Sequence, residues 1–141
     1  MNSLYCGCRS NCTLFAVCIS IIIGIVTSFL RITAVITVTP AFLWVIFGIA
    51  VGFLAISLLN IGAYDKIQSK DCICNNITVL LIGILGTIFG AIILLAITFA
   101  ATSIIGAIIT GGTLFFFFLM LISATCLIRC VLECYNIWFY L

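Results

Sequence analysis

The side chains with the most chemistry in this 141-residue sequence are its nine cysteines. They stand at Cys6, Cys8, Cys12 and Cys18, at Cys72 and Cys74, and at Cys126, Cys130 and Cys134. Three roles are open to a cysteine here. A buried thiol serves as a small hydrophobe, a set of thiolates can hold zinc or an iron–sulfur cluster, and two thiols brought together can oxidise to a disulfide. Each role requires a different placement in the fold.

Cys18, about a turn inside an apolar run, reads as a small buried hydrophobe. Two Cys-x-Cys pairs in polar surroundings, Cys6 with Cys8 and Cys72 with Cys74, could supply four thiolates to a metal. The usual metal spacing is Cys-x-x-Cys, so this reading ranks as an alternative. Cys126, Cys130 and Cys134 recur every four residues, which sets them along one stripe of a helix. There they are badly placed to bond one another but can reach neighbours. An odd number of cysteines cannot pair completely within one chain, so full oxidation implies a bridge between chains. The candidates for disulfides or cross-links are therefore Cys6, Cys8, Cys12, Cys72, Cys74, Cys126, Cys130 and Cys134.

Other chemistry is excluded by what is missing. The sequence has no histidine and three acids, Asp65, Asp71 and Glu133. That leaves no general base of the usual kind, no haem ligand of the histidine type and no carboxylate pair at depth. No glycine-rich phosphate loop occurs. Proton-coupled transport calls for an ionisable group inside the membrane, and the apolar runs place none deep within them. Hydroxyls such as Thr27, Thr33, Thr37 and Thr98 could line a polar path, but such groups commonly bond back to their own helix. We expect no enzyme, no cofactor and no small-molecule substrate. A net charge of +2 likewise argues against nucleic acid.

The elements that carry the cysteines follow from composition. The chain is 67% hydrophobic and 6% charged, whereas soluble domains carry roughly a quarter charged residues. With about 20 apolar residues needed per crossing, the sequence predicts an all-α fold, a four-helix transmembrane-type bundle made of two helical hairpins. As one domain over residues 1–141, it places helix 1 at about 13–31 and helix 2 at about 40–61. A polar segment follows at 62–76, then helix 3 at about 77–100 and helix 4 at about 103–135. Thr39 before Pro40 reads as an N-cap and first helical residue, Gly62 as a helix end, and Thr102 with Ser103 as the turn before helix 4. Small residues should mark close helix contacts, within the bundle or between copies of it: Gly24 with Ser28, Gly48 with Gly52, and Gly83, Gly86 and Gly90. Phe115 to Phe118 must cover every face of their helix, so part of the run should face lipid or a neighbour.

Four crossings put both termini and nearly all the cysteines on one side. Arg9, Lys66, Lys70 and Arg129 lie toward that side and Arg31 alone toward the other, which by the positive-inside rule sets the cysteine edge toward the cytoplasm.

The opening CGCxxNCT, the stretch RITAVITVTPAFLWVIFGIAVGF from Arg31 to Phe53, and the later FAATSIIGA and LIRC resemble a family of small four-span cysteine-rich membrane proteins of spore-forming, clostridia-like bacteria. The resemblance covers most of the chain. It implies a membrane topology and a spore-forming host, without a reaction. Cysteine-rich proteins of spore surfaces form cross-linked layers, and by analogy of composition the expected function is structural. The chain would self-assemble into a disulfide cross-linked homo-oligomeric array, with membrane lipid around it, in the spore envelope or exosporium. Thiols made in a reducing cytoplasm would oxidise there after the mother cell lyses. The alternatives are a small transporter or sensor binding metal through Cys6, Cys8, Cys72 and Cys74, or a holin-like pore former.

Overall fold

Each apolar run becomes one α-helix. The computed structural model describes residues 11–61, 70–97 and 103–139, which form α1 (Asn11–Ile32), α2 (Pro40–Ile61), α3 (Lys70–Ala96) and α4 (Ile104–Phe139). No strand occurs among the described residues.

The helix starts are set by local side chains. At α2, the Phe42 N–H donates to Thr39 Oγ1 at 3.4 Å and the Leu43 N–H to the Thr39 carbonyl at 3.3 Å. Thr39 is thus the N-cap, and Pro40 fills the first helical position, where no N–H is needed. Ser103 caps α4 in the same way, its Oγ accepting from the Gly106 N–H at 3.4 Å. Gly111 and Gly112 accordingly lie inside α4. Gly62 and Thr98 lie outside the described residues.

The end of α1 has a Schellman motif. The Val35 N–H donates to the Leu30 carbonyl at 3.1 Å and the Ala34 N–H to the Arg31 carbonyl at 3.0 Å, so last-turn carbonyls gain partners. Ala34 holds the left-handed position, with φ 55°. Its Cβ makes that conformation cost about 1 kcal/mol relative to an ordinary helical geometry.

Two helices outrun the hydrophobic segments that mark them. α3 starts at Lys70, ahead of the apolar run at Ile77, and α4 continues to Phe139, past a run that ends at Arg129. Hydropathy registers only the part fit for hydrocarbon, whereas the backbone keeps its hydrogen bonds in the polar region too. Cys72 and Cys74 therefore belong to α3 rather than to a polar linker over 62–76.

Packing order differs from chain order. α4 lies between α1 and α3, and α2 packs on α3. Consecutive α3 and α4 form a tight antiparallel hairpin, while α1 and α2 are not packed along each other. The core joins Ala50 of α2, Leu80 and Ile84 of α3, and Met120 and Ala124 of α4. Because α4 is central, its aromatic run is shared between neighbours: Phe115 meets α1 at Gly24 and Phe116 meets α3 at Gly86. All four phenylalanines are half-buried.

Each helix is long and apolar enough to cross a membrane. Ile22, Ile25 and Phe29 of α1, Trp44 and Leu58 of α2, and Phe89 of α3 stand exposed on the outside. Such a surface would be a liability in water, and in lipid it carries no penalty because acyl chains are equally apolar.

Candidate functional site

The seam between α1 and α4 gathers the groups of interest. The buried face of α1 runs through Ala16, Ser20 and Gly24 at intervals of four, then reaches Arg31 in the last turn. Small residues are required because the helices nearly touch: a Cβ on Gly24 would stand 3.1 Å from the Gly111 carbonyl oxygen and 3.1 Å from Phe115 Cβ. Ser28 sits over Gly111, and its hydroxyl donates to the Gly24 carbonyl at 3.0 Å.

At one end of this seam a disulfide joins Cys12 of α1 to Cys126 of α4, with Cα atoms 6.3 Å apart and 114 residues between them in sequence. Cys126 is buried, and the bond ties the first helix to the central one. Cys18 differs from its sequence reading. It is exposed and free rather than buried, because at about 100° per residue it points well away from the Ala16–Ser20–Gly24 face. Cys130 and Cys134 lie further along α4, Cys72 and Cys74 near the start of α3. Cys6 and Cys8 fall outside the described residues, so half of the alternative metal set does too. Among the described residues no three metal-ligating side chains cluster.

The small residues divide by location. Gly83 lets α3 approach α4 so closely that a Cβ there would be 3.0 Å from the Met120 backbone nitrogen, and Gly86 and Gly90 make room for Phe116 and Thr113. Gly48 and Gly52, by contrast, face open space on the outside of α2. Ala41, Val45, Ala55 and Leu59 continue that exposed face at intervals of three and four.

Several of the described hydroxyls bond back to their own helices. Thr27, Thr87, Thr113 and Thr125 donate to the carbonyls of Ile23, Gly83, Ile109 and Leu121 in their own helices, at 2.7–2.9 Å. Thr33 bonds back to Phe29 and Leu30 likewise.

At the other end of the seam lies a group that hydropathy alone does not reveal. Arg31, which the sequence sets toward the side opposite the cysteines, is 9% exposed. Its Nη1 donates to Thr110 Oγ1, and the Thr110 hydroxyl in turn donates to the Gly106 carbonyl at 2.7 Å. Thr110 lies six residues into α4, about 9 Å below the helix end. Thus the guanidinium, in the last turn of the span, turns inward toward the α1–α4 seam. It faces a cavity of about 180 Å³ lined by Val38, Pro40, Leu43, Leu94, Leu95 and Ile97. The usable signal was Arg31 falling inside an apolar run four residues past Thr27, with a threonine six residues into the last span.

No family model, curated protein or solved structure matches the chain.

Proposed function

We propose that this chain is a structural membrane protein, a disulfide-braced four-helix bundle that associates laterally with copies of itself. The observation that carries the reading is the Cys12–Cys126 bond, which closes the cysteine-rich edge around the central helix. With that pair joined, seven cysteines remain, Cys6, Cys8, Cys18, Cys72, Cys74, Cys130 and Cys134. Seven is again odd, so complete oxidation requires a bond to another chain.

Two further features support association. The exposed small-residue face of α2 through Gly48 and Gly52 suits close approach of a second helix in lipid. Large apolar side chains surround it, so nothing polar must be desolvated on contact.

Disulfides persist in oxidising compartments. In this reading the cysteine edge meets such a medium in the mature state, whatever side it occupies when the chain is inserted. Late oxidation in a spore envelope, by the analogy of composition with spore-surface proteins, reconciles that requirement with cytoplasmic insertion. The chain has no resident catalytic group in this reading, and its product is a layer.

Electron imaging of the protein extracted without reductant tests the reading. Sheets, rings or other regular assemblies are expected. Dispersed single bundles, in preparations where the Cys12–Cys126 bond is intact, would remove lateral assembly and leave only a braced monomer.

A further inference from the structure

We propose that the cavity beneath Arg31 is a binding site for one phosphate-type oxyanion, at the end of the bundle opposite the cysteine edge. The proposal rests on Arg31 being nine-tenths buried with no ion pair among the described residues. A buried charge is costly unless paired, and in a membrane such groups find partners or aqueous routes. Thr110 is neutral, and it is the guanidinium's one hydrogen-bond partner among the described residues. Five N–H groups in a planar fork leave most of the donor capacity free.

Among the described residues no counter-ion lies nearby. Of the chain's three acids, Asp71 and Glu133 lie at the opposite ends of α3 and α4. From Asp71 to Leu94, which lines the cavity, the helix rises about 35 Å. Asp65 falls between α2 and α3 in sequence, outside the described residues.

The remaining walls specify the rest of the ligand. Val38, Leu43, Leu94, Leu95 and Ile97 have apolar side chains, and the polar half of the lining comes from Arg31 and backbone atoms, so the cavity pairs one cationic fork with a mixed wall. A volume of about 180 Å³ accommodates a phosphate and its first attached carbons but not a whole lipid. The guanidinium fork matches two phosphate oxygens. Acidic phospholipid headgroups and free phosphate share this chemistry.

The full chain purified in non-ionic detergent tests the site. Thermal unfolding and native mass spectrometry are run with phosphatidylglycerol, with diacylglycerol of the same acyl chains, and with inorganic phosphate. Phosphatidylglycerol should raise the unfolding midpoint by about 5 °C at saturation and remain bound one per chain, while diacylglycerol should do neither. A rise with inorganic phosphate alone keeps the oxyanion site and assigns its source to free phosphate. Arg31→Gln should abolish the response. Val38→Phe, which fills the cavity and keeps the charge, should abolish it too and serves if the first variant fails to fold. Arg129→Gln, at the other end, should respond like the wild type. An equal response to diacylglycerol, no response to either phosphate compound, or a full response in Val38→Phe would overturn the proposal.

Discussion

The Arg31 guanidinium donates to the Thr110 hydroxyl across the α1–α4 seam, holding a charge within the span of a protein that has almost none. Thr110 can serve because its own proton goes to the Gly106 carbonyl, leaving lone pairs for the arginine. Replacing Thr110 by valine preserves shape and removes the acceptor. The variant should lose about 2 kcal/mol of stability, in the range for hydrogen bonds to charged groups. Unfolding by increasing sodium dodecyl sulfate in mixed micelles measures it, and an unchanged midpoint would show that water or lipid already satisfies Arg31.

Glycine positions should respond according to what faces them. Gly83→Leu drives a side chain into the Met120 backbone and should cost more than about 3 kcal/mol, because backbone cannot move aside cheaply. Gly48→Leu meets open space on α2 and should leave the single bundle's stability within about 0.5 kcal/mol. If α2 is the lateral contact, the same Gly48→Leu change weakens self-association measured by sedimentation in detergent. Equal stability losses at both positions would contradict the placement of Gly48.

Ala34→Gly should stabilise the chain. The left-handed geometry at φ 55° suits glycine, and relief of the Cβ clash exceeds the extra entropy of the unfolded state. A gain of about 0.5–1 kcal/mol is expected in the same detergent titration. A loss would mean that Ala34 does not hold this conformation.

Ser20 is fully buried, and its hydroxyl has no hydrogen-bond partner among the described residues. Ser20→Ala removes an unsatisfied group while keeping the small volume that lets α1 meet α4. It should be neutral or stabilising by up to about 1 kcal/mol. Destabilisation by more than that would reveal a partner for the hydroxyl.

Much of this fold was legible in the sequence because lipid imposes simple rules. Uncharged runs of sufficient length had to be helices, and Thr39–Pro40 and Ser103 marked two of their starts through side-chain oxygens and a proline. Which helix would touch which was not legible. Apolar runs look alike in lipid, and only the fit of Gly24 to Gly111 and of Gly83 to Met120 sets α4 between α1 and α3.

The site was harder to read for the same reason. Cys126 was a candidate among eight, but its pairing with Cys12 depends on α1 reaching α4 across 114 residues of sequence. Cys18 and Arg31 were assigned from their distance to the ends of an apolar run, whereas helical phase decides both: one points outward and the other into the seam.

The central claim, a bundle braced within and bridged to its neighbours, is tested most directly on a gel. Native material is alkylated at extraction, run with and without reductant, and its linked peptides are mapped by mass spectrometry. Species heavier than the monomer that collapse on reduction are expected, with a Cys12–Cys126 peptide present before reduction and absent after. A monomer of identical mobility in both lanes, with all nine cysteines alkylated, would contradict the claim.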